Sequence, residues 1–276
     1  MSKPLIRIGH SPDSDDAFMF WGLASGKVES RFEFEHVLRG IQTLNEWAME
    51  GRLEATAVSV HAYAYVADRY ALLRHGGSFG EGYGPMIIAR EPMERERLKE
   101  TVIAVPGKLT SAFLQLNLYM PNPNYEVVPF DEIMPAVIEG RFDAGVIIHE
   151  GQLTWEKQGL VCLADFGKWW NEETGLPLPL GVNVVRKDLG RETIGELNRV
   201  MRESIQAGLQ NRKEALAYAL QFARGMDEKT SDEFVGMYVN ERTLDMGEEG
   251  LAAIRLLLER GSEIGLVPSV EVMAVQ

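Results

Sequence analysis

Glu50–Ala55 reads "EGRLEA" and Glu139–Ala144 reads "EGRFDA", 89 residues further on. Both stretches close a helix and open a strand. Before the first, Ile41, Leu44 and Trp47 or Ala48 recur at helical spacing, and Gly51 sits where a helix stops. Before the second, Asp131–Glu139 reads as a helix with Asp131 as its N-cap. Apolar strands follow, "ATAVSV" in one copy and Ala144–Ile148 in the other. Under this offset Ser59 falls opposite Ile148, Val60 opposite His149 and His61 opposite Glu150. The tips of two equivalent strands therefore carry Ser59 and His149, and an internal repeat of this kind predicts two similar lobes.

Working outward, Leu5–Gly9 and Phe32–Leu38 read as strands, with a helical pattern through Phe18, Trp21 and Leu23 between them. "HAYAYVADRY" follows the third strand as a helix. The second copy repeats the plan, with strands at Thr101–Val105 and Tyr125–Phe130 and a helix at Ala112–Tyr119. A βαβαβ order predicts a parallel sheet in each lobe. Tyr83–Arg90 and Gly181–Arg186 read as two crossover strands, and from Glu192 the pattern is helical to about Leu266, broken near Gly225 and Gly247. Two α/β lobes, two crossovers and a helical return describe a periplasmic-binding-protein-like fold of the second type. Residues 1–90 and 180–276 are expected to form lobe one, and 91–179 lobe two. The ligand cleft then lies at strand C-termini and helix N-termini.

Composition narrows the partners. The chain has 28 basic against 41 acidic residues, a net charge of −13, which argues against a nucleic-acid or anionic-membrane surface. Cys162 is the single cysteine, so no internal disulfide is expected. No apolar run approaches a membrane span, and the opening "LIRIGH" reads as a strand rather than a signal peptide, so a cytoplasmic location is expected.

Four loops face the expected cleft: "HSPDSDD", "VSVHAY", "PGKLTS" and "IIHEGQ". Helix N-termini there offer free N–H groups to an anion, even in an acidic protein. In "PGKLTSA", Gly107 permits close backbone approach, Thr110 and Ser111 offer hydroxyls and a cap, and Lys108 adds charge; an ordinary capped loop reads equally well. Asp13, Asp15 and Asp16 admit a Mg²⁺ reading, but acidic residues in a first helical turn, capped by Ser11 or Asp13, are the plainer account. His149 reads either as a general base or as a hydrogen-bonded histidine of the cleft wall, with Glu150 as its orienter or simply the start of the next helix. His10 and His61 are weaker cleft candidates at other strand ends. "FGKWW" (Phe166–Trp170) walls a pocket for a flat ligand or packs within a lobe.

The stretches "SPDSDDAFMFWGLASGKVES", "LNEWAMEGRL", "VPGKLTSAF", "IIHEGQLTW", "LPLPLG" and "YVNERTLDMGEEG" together resemble the 1,4-dihydroxy-6-naphthoate synthase family of the futalosine route to menaquinone. The resemblance implies a lyase that needs neither metal nor organic cofactor. It implies a small anionic aromatic substrate, cyclic dehypoxanthine futalosine, cleaved at a carbon–carbon bond to the naphthoate and a three-carbon fragment. In that family the histidine of "IIHE" is the proton acceptor, here His149. Residues of the "TLN", strand-three and "PG..T" motifs contact substrate, here Asn45, Ser59, Thr110 and Ser111, with the backbone of Ala57 and Val58. The chain departs from the family where Ser14, Asp15 and Ala17 replace Pro, Asn and Thr, and where a lysine is missing around Ala57. These changes remove a cation and add a carboxylate near an anion site. A non-catalytic carboxylate-binding protein of this fold and the related chorismate dehydratase are the alternatives.

Overall fold

A computed structural model describes residues 3–223 and 227–275. The chain begins with β1 (Leu5–His10), α1 (Ser14–Met19), α2 (Trp21–Ala24), β2 (Glu33–Leu38), α3 (Ile41–Glu50), β3 (Ala55–Ser59), α4 (Val60–Val66), β4 (Tyr70–Leu72) and β5 (Ser78–Gly80). It then crosses to β6 (Met86–Ala89), α5 (Arg95–Glu100), β7 (Ile103–Val105), α6 (Ser111–Tyr119), β8 (Tyr125–Val127), α7 (Ile133–Ile138), β9 (Ala144–Ile147), β10 (Val161–Asp165) and α8 (Phe166–Thr174). It returns through β11 (Leu178–Arg186) to α9 (Arg191–Gln210), α10 (Arg212–Ala219), α11 (Glu228–Tyr238), α12 (Glu241–Leu244) and α13 (Gly247–Glu263).

The strands form two sheets, ordered β2-β1-β3-β11-β4 with β5 on β11, and β10-β6-β9-β7-β8. In the first, β1 runs parallel to β2 and β3, while β11 is antiparallel to β3. In the second, β7 runs parallel to β8 and β9, while β6 is antiparallel to β9. The order β2-β1-β3-β11 is thus repeated as β8-β7-β9-β6, and the two-lobed binding-protein-like fold expected from the sequence is the one observed. The repeated glycine explains the match. Gly51 and Gly140 both take left-handed conformations (φ 70° and 77°) that end α3 and α7. That conformation strains any side chain, so glycine is the natural stop there.

Three expectations need correction. Residue 90 is not the boundary: β6 pairs with β9 and β10 of the second sheet, so the chain has changed sheets before Met86. Asp131 is not the cap of α7, which starts at Ile133 behind Glu132 with no side-chain cap. Pro135 lies in that first turn and has no N–H to satisfy, which lowers the demand for one. Neither Ser11 nor Asp13 caps α1 with its side chain; instead the Ser11 N–H donates to Asp16 Oδ2 at 2.6 Å. The expected break near Gly225 lies outside the described residues. Further breaks fall at Asn211 and Asn240, and Gly247 opens α13.

β3, β7 and β9 are buried on both faces, which suits their small and branched side chains. One core cluster joins Val58, Ile87, Leu114, Trp170 and Leu257, so the C-terminal helices pack against both sheets. At the start of α8 a Cβ on Gly167 would stand 2.0 Å from the backbone of Tyr83, so only glycine lets this helix touch the segment that crosses from β5 to β6.

Candidate functional site

A cavity of about 140 Å³ lies where the two sheets meet. Its walls come from the tip of β3 (Ala57, Val58, Ser59), the middle of β11 (Gly181, Val182, Asn183) and the start of α6 (Thr110, Ser111, Ala112). Asp13, Asp15, Asp16, Ile148, Phe234 and Tyr238 complete the enclosure.

The α6 end presents unpaired backbone N–H groups to the cavity. Thr110 is the N-cap: its hydroxyl accepts the Phe113 N–H at 3.2 Å and donates to Gly107 O at 2.8 Å. The N–H groups of Ser111 and Ala112 then head a nine-residue helix with no intrahelical acceptor, beside the cavity. Lobe one clamps this helix start. Ser111 Oγ donates to Leu180 O, Gln115 Nε2 donates to Pro179 O at 3.1 Å, and His61 Nδ1 stands 3.1 Å from Thr110 O. Burial pulls His61 below the usual histidine range, so the neutral ring donates to that carbonyl. Among the described residues no Lys or Arg lines the cavity. Lys108 turns away and sits 5.4 Å over the Tyr125 ring, and Gly107 gives room to Gln42, whose amide oxygen accepts the Leu109 N–H at 3.1 Å.

Asn45 is fully buried and lies behind the cavity wall. Its Oδ1 accepts the Ser59 N–H at 2.8 Å, and its Nδ2 donates to Ser59 Oγ at 3.0 Å and to Leu109 O at 3.2 Å. All its hydrogen-bonding arms are engaged, so it sets Ser59 and ties α3 to the α6 loop.

Asp13, Asp15 and Asp16 make part of the wall acidic. Burial raises Asp15 well above the ordinary carboxyl range, helped by the charges of Asp16, Asp13 and Glu150. Burial also lifts Asp16 to about 7, with Asp13 adding to the rise and the Ser11 N–H opposing it. A carboxyl held protonated near neutrality can donate a hydrogen bond as well as accept one. Among the described residues no group of three or more His, Cys, Asp or Glu side chains is arranged to hold a metal ion.

Ile148 lines the cavity, and His149 stands one residue beyond it on a 3₁₀ turn, Glu150–Leu153. The His149 ring packs edge-on to Phe130, with centroids 5.8 Å apart. Its Nδ1 accepts the Gly151 N–H at 2.9 Å, which places the proton of the neutral ring on Nε2. Glu150 Oε2 is 4.0 Å from Nδ1, beyond hydrogen-bond reach, and Glu150 opens the turn. Two residues later, Gln152 donates its N–H to His149 O at 2.9 Å and accepts the Tyr238 hydroxyl at 2.6 Å on Oε1. Tyr238 belongs to α11 and Gln152 to the turn after β9, so this buried bond joins the His149 turn to the C-terminal helices.

The structure thus brings Ala57, Val58, Ser59, Thr110 and Ser111 to one cavity, while Asn45 and His149 stay outside its lining, His149 next in sequence to the lining residue Ile148. His10 stacks on Phe20 and lies 3.0 Å from His36, away from these residues. The "FGKWW" aromatics pack inside: Phe166 and Trp170 are buried and Trp170 Nε1 donates to Pro177 O at 3.1 Å. Sequence reasoning passed over Asn183, Gln152 and Tyr238. The signal for Asn183 was present, a lone amide inside the apolar strand "GVNVV".

A family model described as menaquinone biosynthesis matches residues 6–263. A 1,4-dihydroxy-6-naphthoate synthase from Thermus thermophilus is 42% identical over 261 residues, covering 95% of each chain. A crystal structure of a protein from Archaeoglobus fulgidus superposes with a TM-score of 0.92 at 44% identity, covering 95% of this chain and 98% of that one. The alkanesulfonate-binding protein of Xanthomonas axonopodis pv. citri shares the fold at 14% identity, with a TM-score of 0.69 over 98% of this chain and 96% of its own.

Proposed function

Because the chain belongs to the menaquinone-biosynthesis family, we propose that it is a carbon–carbon lyase converting cyclic dehypoxanthine futalosine to 1,4-dihydroxy-6-naphthoate, with His149 as general base. The observation that carries this reading is the near-full-length likeness to a named synthase, joined to a cavity that gathers the strand-three and "PG..T" residues. The substrate carboxylate is held by the N–H groups of Ser111 and Ala112 and the Thr110 cap, with the β3 tip beside it. A helix terminus does this work without a cation, which suits a cavity wall that has none among the described residues.

His149 removes a proton from a substrate hydroxyl or acidified carbon, and formation of the aromatic product drives the cleavage. Its basic nitrogen in the neutral ring is Nδ1, so proton transfer requires the Gly151 N–H to give way. The cavity is no larger than one engineered in another protein that admits benzene. A two-ring substrate therefore enters with the lobes parted, and the same movement loosens the His149 turn. The likeness to transport-type binding proteins at 14% identity speaks for the fold alone, and the relatives at 38–42% identity carry the synthase name, which favours this reading over both alternatives.

The test is naphthoate formation, followed by absorbance, from purified protein and the cyclic futalosine derivative. His149→Ala is expected to lose about 10²- to 10⁴-fold in kcat. Full turnover by that variant would remove His149 from the mechanism, and no product from the wild type would sink the whole reading.

A further inference from the structure

Asn183 lies on β11 opposite Ala57, in the central part of the first sheet, and is 3% exposed. Its flanking residues Val182 and Val184 are apolar and buried, so an amide here is out of character for the strand. Its orientation is fixed. Nδ2 donates to Gly76 O at 2.8 Å and lies 3.7 Å from Met19 Sδ. Gly76, in a left-handed conformation (φ 83°), leaves no room for a Cβ, which would fall 2.5 Å from Nδ2. With Nδ2 committed, Oδ1 is the atom left over, and it is buried with no hydrogen-bond partner among the described residues. Asn183 also lines the cavity, alongside Asp15, Asp16 and Met19. A buried acceptor without a partner is uncommon and calls for an explanation.

We propose that Asn183 is a specificity-determining residue whose Oδ1 accepts a hydrogen bond from a hydroxyl of the bound substrate and product. The inference rests on the function proposed above, and it adds a direction to the ligand. The carboxylate lies at the donor end, beneath the start of α6. The oxygen-bearing ring points to the end walled by Asn183, Asp15 and Asp16, where acceptors await O–H donors. A ligand with its carboxylate at the acidic wall would forgo the helix N–H donors and face carboxyls already crowded with like groups, so the two ends favour one orientation.

Three probes separate the parts: 1,4-dihydroxy-6-naphthoate, 2-naphthoate without the hydroxyls, and the 1,4-dimethoxy ether, which keeps the oxygens but has no O–H. Binding is measured by anaerobic calorimetry on wild type and Asn183→Leu, with turnover in parallel. Wild type is expected to bind the dihydroxy compound roughly 10-fold more tightly than either other probe, the size of one good neutral hydrogen bond. In Asn183→Leu that preference falls to near parity while 2-naphthoate affinity is retained. The wild-type comparison needs no variant to fold, and equal binding of all three probes would overturn the proposal. So would a preference retained in Asn183→Leu, or equal weakening of every probe, which marks a structural role. If the wild type turns over the substrate in any of these cases, the functional reading stands and this assignment alone fails. No binding of any probe and no turnover would overturn both.

Discussion

Tyr238→Phe removes one oxygen from the centre of the molecule and nothing else. The hydroxyl donates to Gln152 Oε1 at 2.6 Å, and both residues are buried, at 3% and 6% exposure. Without it Gln152 Oε1 is left dry and unpaired, a loss of roughly 1–3 kcal/mol. That loss falls on the arrangement in which α11 and the His149 turn touch. Closure of the lobes over substrate should therefore weaken by about 5- to 150-fold, since each 1.4 kcal/mol is a factor of ten. Steady-state kinetics are expected to show a kcat decrease within that range, because Gln152 also anchors the His149 carbonyl. A double-mutant cycle with Gln152→Leu isolates the pair. The double variant, in which neither polar group is left stranded, should recover about 1 kcal/mol relative to the sum of the two singles. Small-angle scattering with bound naphthoate reports the closure directly, as a smaller radius for wild type than for Tyr238→Phe. Strict additivity in the cycle, or a wild-type kcat in Tyr238→Phe beside a lowered melting temperature, would refute the linkage to catalysis.

Asn45→Ala removes three hydrogen bonds at once and strands the Ser59 N–H, so a urea midpoint shift equivalent to roughly 3 kcal/mol is expected; a shift below about 1 kcal/mol would mean water replaces the amide. Burial, with His36 beside it, lowers His10 to about 3, whereas the unfolded histidine titrates near 6.5. The unfolded chain then binds the extra proton, so this site's contribution is intact above pH 6.5 and lost as the pH falls from there toward 3, by about 2 kcal/mol at pH 5. Asp16 runs the other way: its folded value of about 7 means the native state binds the proton first, so ionising it costs stability between pH 4 and 7 and above. Asp16→Asn is thus expected to raise the melting temperature at pH 8, with the gain fading toward pH 4, whereas His10→Gln should flatten the acid limb. Equal shifts at pH 4 and pH 8 for Asp16→Asn would contradict the assigned titration.

The repeat was legible because its two marks are local. A glycine that must be left-handed and a strand of small apolar residues announce themselves in six letters, and the sheets confirm both copies. β4 and β5 were not legible, since three residues carry too little pattern to separate a strand from a turn. β8 was legible inside the expected strand Tyr125–Phe130, although it ends at Val127 and all three of its residues are exposed at a sheet edge. The site divides in the same manner. Thr110 could be placed because a cap is a neighbour effect, three residues from the N–H it accepts. The Tyr238–Gln152 bond spans 86 residues and leaves no trace in either local stretch. Asn183 was hidden for the opposite reason: the apolar letters around it identify a core strand so clearly that the single amide is absorbed into the pattern.

The acidic opening motif raised a difficulty, a carboxylate added near the site proposed for an anionic substrate. The cavity resolves it by distance and by protonation. The start of α6 follows β7 of the second sheet and Asp15–Asp16 follow β1 of the first, and both line the cavity, so in the proposed binding mode one pole attracts the carboxylate while the other accepts hydroxyl protons. Burial then keeps the acidic pole from carrying its full charge near neutrality. With the lobes parted, water returns to Asp15 and Asp16 and their ionisation becomes easier, so closure should be accompanied by proton uptake. The direction follows from the raised values in the closed form and from nothing remote. Calorimetry of naphthoate binding at pH 7 in buffers of differing ionisation enthalpy measures that uptake. The expected result is a positive fraction of a proton bound, diminished in Asp16→Asn. Proton release on binding, or an uptake indifferent to that substitution, would mean that the acidic wall keeps its charge when the cleft shuts.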